Sequence, residues 1–75
     1  MSPAFLLINC DLGEEEKVVA ELETIDDVKE IQKTFGVFDI VAKVESDSEE
    51  DLSDMVSSKI RNLNPVQTVL VLKSV

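Results

Sequence analysis

The sequence contains no histidine, no tryptophan and no tyrosine, and only one cysteine among its 75 residues. Without histidine the chain lacks the commonest general base and the commonest metal ligand, which argues against a zinc protein and against histidine-dependent catalysis. A single cysteine excludes an internal disulfide bond and any paired-cysteine motif for metal or redox chemistry. The three phenylalanines are the only aromatic residues, and they are too few to stack the bases of a single-stranded nucleic acid.

Positive charge is also scarce, because seven Lys and Arg residues stand against sixteen Asp and Glu, for a formal net charge of -9. Nucleic acids and anionic membranes attract basic surfaces, so the chain is predicted to bind neither directly. No apolar run approaches the roughly 20 residues of a membrane span, and residues 1–4 lack the basic start of a secretory signal. The sequence therefore predicts a cytoplasmic protein, with Cys10 as a small core residue rather than a reactive thiol.

Hydrophobic residues make up 44% of the chain and charged residues 31%, as in a folded globular protein, so residues 1–75 are predicted to form one domain. Apolar residues follow a period of two in some segments and helical spacing in others. The patterns predict strands over 4–10, 28–35, 40–45 and 66–73, and helices over 13–24 and from 46–51 to Leu63. In the second strand, Ile31, Lys33 and Phe35 are predicted to share one face.

The order β-α-β-β-α-β is that of the ferredoxin-like α+β fold. It predicts a four-stranded antiparallel sheet with the first and third strands in the centre and both helices on one face. Two acidic segments are interpreted as helix starts rather than metal sites. Residues 14–16 are adjacent and cannot all converge on one ion, and Ser48 followed by Asp51 resembles a capping box. The segment 46–51 lacks the glycine and final glutamate of a calcium loop, so no metal or cofactor is predicted.

The predicted sheet carries large apolar residues on both faces, although two helices can cover only one. Phe5, Leu7, Val69 and Val71 are the candidates for the uncovered face. An apolar patch of that size exceeds what soluble monomers usually expose. We therefore expect a two-fold symmetric homodimer in which two sheets pack face to face.

Residues 28–44 resemble the central hairpin of the RAM domain, the effector-sensing domain of Lrp/AsnC transcription regulators. The hairpin motif of that family, Gly-x-Tyr/Phe-Asp before an apolar strand, is matched by Gly36, Phe38 and Asp39. The opening strand, the glutamate-rich first helix and the end of the second helix are also similar, so the resemblance extends from Phe5 to Leu72. It implies a dimeric α+β barrel and a non-enzymatic role in transcription regulation.

The resemblance further implies a sensor of small effectors, usually amino acids, which bind between dimers of a larger ring such as an octamer or decamer. Full-length regulators carry a helix-turn-helix before this domain, whereas this sequence begins at the first strand. A stand-alone RAM protein is therefore expected, one that modulates full-length Lrp/AsnC regulators without binding DNA. Two alternatives remain: a structural or modulator oligomer without an effector, and a small dimeric enzyme. The enzyme is disfavoured because Arg61 is the only arginine and no Ser or Cys has a base nearby in sequence.

The candidate effector-binding residues come from the hairpin and from the start of the last strand: Gly36, Val37, Phe38, Asp39, Gln67 and Thr68. Gly36 permits a positive φ, Asp39 can accept a hydrogen bond from an α-ammonium, and Phe38 can form an apolar wall. Each also has a structural alternative, since Gly36 and Asp39 are common in turns and Phe38 can belong to an interface core. The last strand lacks the several Thr or Ser residues frequent in the family, which leaves few side chains for an effector's carboxylate.

Overall fold

The computed structural model describes residues 3–34 and 36–73. Its strands are β1 (Pro3–Cys10), β2 (Val28–Lys33), β3 (Ile40–Glu45) and β4 (Val66–Lys73). Its helices are α1 (Glu15–Glu23) and α2 (Glu49–Met55), and α2 continues into a π-helical segment (Val56–Ile60). The sheet is antiparallel with the order β2-β3-β1-β4, so the predicted ferredoxin-like architecture is confirmed.

The hydrophobic core lies between the helices and one face of the sheet. Along β1 every second side chain is buried, from Ala4 to Cys10, as expected for the inner face of a central strand. Leu6 lies at the middle of this face, because it pairs with Ala42 of β3 on one side and with Val71 of β4 on the other. Cys10 is buried, which confirms its prediction as a core residue.

Strand β2 forms one edge of the sheet and contains a bulge. The register with β3 shifts between Val28 and Glu30, and this extra residue lets both Val28 and Ile31 pack against the core. Lys33 pairs with Ile40 and therefore lies on the same face of the sheet as Ile31, as predicted. Its side chain is nevertheless 53% exposed, because it lies at the edge of the sheet. The third member of the predicted face, Phe35, lies outside the described residues.

The second helix begins as the sequence predicts and ends differently. Ser48 is its N-cap, with a hydroxyl oxygen that accepts a hydrogen bond from the Asp51 N–H at 3.1 Å. After Met55 the chain widens into π geometry, where the Arg61 N–H donates to the Val56 carbonyl at 2.9 Å. The Arg61 guanidinium then donates to the Val69 carbonyl at 3.1 Å, on the outer edge of β4.

The predicted position of two β4 residues on the uncovered face is wrong. Val69 pairs with Ile8, whose side chain faces the helices, so Val69 is buried in the core, and Val71 packs beside it. The alternate residues Leu70 and Leu72 take the uncovered face instead, with 46% and 47% of their surface exposed. The residues on this face, called the open face below, include Phe5, Leu7, Val41, Leu70 and Leu72. Contact with a second copy stays a prediction.

Among the described residues, no helix is long and apolar enough to cross a bilayer. In the same ranges, no three acidic or cysteine side chains come together as a metal-binding group.

Candidate functional site

The β2–β3 hairpin contains the matched motif, and its backbone closes tightly. Gly36 has a φ of 129°, in the region that side chains disfavour, and a Cβ added there would meet no atom within 4 Å. Glycine is therefore favoured at this position by the backbone conformation and not by a lack of room for a side chain. Below the turn, the Thr34 N–H donates to the Asp39 carbonyl at 2.8 Å, and the Thr34 hydroxyl donates to the Phe38 carbonyl at 2.5 Å.

Asp39 connects this hairpin to β1 through both its backbone and its side chain. Its N–H donates to the Ile8 carbonyl at 3.0 Å, and its carboxylate oxygen Oδ2 accepts a hydrogen bond from the Cys10 N–H at 3.0 Å. These bonds extend the β1–β3 ladder beyond its last pair, Ile8 and Ile40. The carboxylate thus has a structural role, but it bonds to β1 rather than to the backbone of its own turn, which was the structural alternative expected for it. Its second oxygen, Oδ1, has no hydrogen-bond partner among the described residues.

A groove of about 700 Å³ lies between the hairpin, the β1–α1 loop and the first turn of α1. We call it the hairpin groove, and its lining residues are Leu12, Glu15, Glu16, Lys33, Thr34, Gly36 and Asp39. Leu12 is 97% exposed at its margin. The hairpin groove therefore combines one almost fully exposed apolar side chain with charges of both signs.

An ion pair crosses the hairpin groove. The Lys33 ammonium donates to Oε1 of Glu16 and so joins the end of β2 to α1. This hydrogen bond and the charge of Glu16 raise the pKa of the Lys33 side chain. Among the described lining residues Lys33 is the one cation, beside the carboxylates of Glu15, Glu16 and Asp39. The groove can thus offer a positive and a negative group to one small ligand.

The structure brings only part of the predicted effector site together. Gly36 and Asp39 line the hairpin groove, whereas Val37 at the hairpin tip and the half-buried Phe38 do not.

The two candidates from β4 are exposed and lie outside the groove within one chain. Thr68 pairs with Asn9, and the Gln67 amide donates to Asp11 Oδ1 at 2.5 Å. Gln67 therefore contacts the β1–α1 loop, whose next residue, Leu12, belongs to the groove.

Sequence reasoning missed most of the groove's other lining residues. The pattern of residues 14–16 predicts only a helix start, and no feature of the sequence singles out Leu12. Lys33 did give a signal, because a lysine on the core-facing side of a strand needs a partner outside the apolar core. The partner itself, Glu16, is far away in sequence and could not be identified from the pattern.

Comparisons with known proteins agree with this architecture. A protein-family model described as the Lrp/AsnC ligand binding domain matches residues 3–75. The HTH-type transcriptional regulator FL11 of Pyrococcus furiosus is 33% identical over 73 residues, which cover 93% of this chain and 48% of FL11. The chain thus spans about half the length of this curated relative.

Two solved structures superpose closely on the chain. The crystal structure of FFRP-DM1 has a TM-score of 0.96 at 31% identity, with 100% of both chains covered. The structure of AsnC from E. coli has a TM-score of 0.93 at 26% identity and covers 97% of this chain and 50% of AsnC. The similarity of fold therefore extends along the length of this chain.

Proposed function

The chain belongs to the Lrp/AsnC ligand-binding domain family, and from this premise we propose that it is a sensing and assembly module for a small effector. The effector is an amino acid, and it binds in the hairpin groove. The module acts on transcription regulators of the Lrp/AsnC type and does not itself catalyse a reaction. The observation that carries this proposal is the position of the family's hairpin motif at a groove with charges of both signs.

The chemistry of the groove supports an amino acid as the effector. A zwitterion needs an acceptor for its ammonium and a donor for its carboxylate, and the groove is lined by acidic side chains and by Lys33. The regulator NMB0573 from Neisseria meningitidis was solved as a complex with L-Met, and it shares this fold with a TM-score of 0.91 at 14% identity. At that identity the likeness between the two proteins is one of fold.

The open face supports assembly. Phe5, Leu70 and Leu72 each leave two-fifths or more of their surface exposed, beside the half-buried Leu7 and Val41. Two copies that pack these faces together would bury the apolar surface that one copy leaves in water. The hairpin groove lies at the end of the sheet, outside the open face, so a second dimer can approach it without disturbing the first interface. Octamers, decamers and mixed assemblies with full-length regulators are the proposed larger forms.

Thermal unfolding in the presence of each standard amino acid tests the proposal. A ligand that binds only the folded assembly stabilises it by about 2.7 kcal/mol at 100 times its Kd, which raises the melting temperature measurably. We expect one amino acid, or a chemically related group, to give such a shift while the others do not. Light scattering on the same samples reports the oligomeric state. If no amino acid shifts the transition and the oligomer persists, the chain is a structural subunit without an effector.

A further inference from the structure

A second groove lies on the helix side of the sheet, between the edge strand β4 and α2 with its π-helical extension. We call it the α2–β4 groove. It has a volume of about 230 Å³ and shares no lining residue with the hairpin groove. Its floor is apolar, because it is formed by the buried Leu52 and Val56 and by the half-buried Val71. Val71 packs against the core, so this groove and the open face lie on opposite sides of the sheet.

Hydrogen-bond donors line the α2–β4 groove from both of its walls. Ser53, Ser57 and Arg61 follow one another at intervals of four residues and line it from the helical wall, and Lys73 lines it from β4. The hydroxyls of Ser53 and Ser57 form no hydrogen bond within the described part of the chain. The neighbouring Ser58 hydroxyl, in contrast, donates to a backbone carbonyl one turn earlier at 2.6 Å. The two serine hydroxyls of the groove are therefore free to bind a ligand.

The Arg61 guanidinium is fixed in position before any ligand binds. Arg61 ends the widened turn that closes on the Val56 carbonyl, and π turns of this kind are frequent at functional sites. One guanidinium N–H group donates to the Val69 carbonyl at 3.1 Å, which holds the planar group against β4. A guanidinium has five N–H donors, so its other donors can bind a ligand in the groove.

We propose that the α2–β4 groove binds a phosphate monoester whose organic part is small and apolar. The guanidinium of Arg61 matches two oxygens of a phosphate group. The Lys73 ammonium and the two serine hydroxyls supply donors from other directions, which suits a tetrahedral phosphate better than a planar carboxylate. The organic part lies on the floor formed by Leu52, Val56 and Val71. This site is additional to the hairpin groove and goes beyond the proposed function.

The charge of the chain makes binding of an anion selective for this groove. Two of the seven Lys and Arg residues line it, while the net charge of -9 repels anions from the rest of the surface. Glu49 also lines the groove, and its carboxylate lies 3.5 Å from the Lys73 ammonium. The Lys73 and Glu49 side chains are 53% and 81% exposed, so this ion pair is weak and the flexible lysine can turn toward a phosphate.

Replacement of Glu49 by glutamine removes the carboxylate that competes with the ligand for Lys73. We expect Glu49→Gln to bind a phosphate monoester at least about twofold more tightly than the natural chain. If Lys73 takes no part in binding, this substitution gives no gain beyond that of Glu50→Gln, which removes one acidic charge from an exposed neighbour outside the groove.

NMR titrations of the isotope-labelled full chain at constant ionic strength test the site with three probes: phenyl phosphate, benzoate and inorganic phosphate. Benzoate keeps the aromatic ring and replaces the phosphate by a carboxylate, and inorganic phosphate lacks the ring. We expect phenyl phosphate to bind at least about threefold more tightly than either of the other two. Its binding should shift the backbone amide signals of Ser53, Ser57 and Lys73.

Two substitutions test the cations. Arg61→Gln and Lys73→Gln should each weaken the binding of phenyl phosphate at least about fivefold. Lys59→Gln is the matched control, because Lys59 is an exposed cation of the π-helical segment that does not line the groove. It changes the net charge equally and should bind like the natural chain. Lys73→Gln leaves the bond from Arg61 to the Val69 carbonyl intact, so the test holds even if Arg61→Gln does not fold.

The three probes in the natural chain decide the ligand class without any variant. No binding of phenyl phosphate, or signal shifts confined to residues outside the groove, would overturn the site. Equal affinity for benzoate would overturn the phosphate, and equal affinity for inorganic phosphate would overturn the contact with the apolar floor. An equal loss of affinity in Lys59→Gln and Lys73→Gln would show general charge attraction in place of a site. Amino acid binding in the hairpin groove is measured separately, so none of these results changes the proposed function.

Discussion

The Asp39 carboxylate and the Cys10 N–H are joined by a hydrogen bond of 3.0 Å that connects the β2–β3 hairpin to the end of β1. The acceptor is the oxygen Oδ2, on a side chain that also lines the hairpin groove. Asp39, the residue proposed to bind the effector's ammonium, therefore also fixes the position of the hairpin that lines the groove. One substitution cannot separate these two roles, but a matched pair of substitutions can.

The pair Asp39→Ala and Asp39→Asn separates structure from recognition. Alanine leaves the partly buried Cys10 N–H without its acceptor, so the free energy of unfolding should fall by about 1–3 kcal/mol in urea titrations. Asparagine keeps a carbonyl oxygen that can accept from that N–H, so its free energy of unfolding should fall by less than that of the alanine variant. Both variants lose the negative charge, and both should bind the effector at least about tenfold more weakly, a change of about 1.4 kcal/mol. Binding of the effector to Asp39→Asn with unchanged affinity would leave Asp39 with only its structural role.

The thiol of Cys10 predicts a loss of stability at alkaline pH. Burial, with smaller contributions from the nearby carboxylates of Asp39 and Glu15, raises the pKa of Cys10 above its ordinary value. The unfolded chain then loses the thiol proton at a lower pH than the folded chain does. The contribution of Cys10 to the free energy of unfolding is therefore complete at neutral pH and decreases as the pH rises above about 8.5, the ordinary thiol value.

Urea unfolding at fixed protein concentration between pH 7 and pH 10 measures this dependence. Cys10→Ala removes the titrating group, so its free energy of unfolding should fall less steeply over the alkaline half of that range. Identical slopes for the two proteins would show that the thiol does not contribute. The absolute stability of Cys10→Ala is not the readout, because the substitution also changes core packing.

Strand and helix order were predictable because the apolar period changes clearly from segment to segment. β3 and β4 have the predicted bounds, and Ser48 was recognisable as a cap because capping depends on local sequence. The faces of β4 were not predictable from its own pattern. Valine and leucine alternate there, so both faces are equally apolar and a period of two fits either orientation. Only the pairing of Val69 with Ile8 decides which side meets the helices.

For the site, the sequence could predict the hairpin but not what surrounds it. Gly36 and Asp39 belong to one short motif, whereas Lys33 meets Glu16 only after α1 has folded across the sheet. The π-helical segment was not predictable either, because the local sequence pattern does not distinguish it from an ordinary helix. Val56 and Ile60 are spaced as in an ordinary helix, and the wider turn is visible only in the bond from Arg61 to Val56.

The charge of the chain predicts that it does not bind DNA by itself. A net charge of -9 repels a phosphate backbone, and seven Lys and Arg residues among sixteen acids leave little basic surface to release its counterions, the main source of non-specific affinity. Gel-shift assays with this 75-residue chain should show no complex with duplex DNA even at low salt, where electrostatic binding is strongest. A complex that forms without another protein would contradict the proposed role as a modulator.

The open face predicts that the chain associates through Leu70 and its neighbours. At micromolar concentration the natural chain should elute as a dimer or a multiple of dimers, and its urea midpoint should rise with protein concentration. Leu70→Glu places a charge on this face beside Leu7, where desolvation opposes packing against a second copy. We expect light scattering to show monomers or unfolded chains for Leu70→Glu. Ala20→Glu is the control, because Ala20 is exposed on α1, away from the open face, and should leave the assembly unchanged. A natural chain that stays monomeric, with a urea midpoint independent of concentration, would refute the interface.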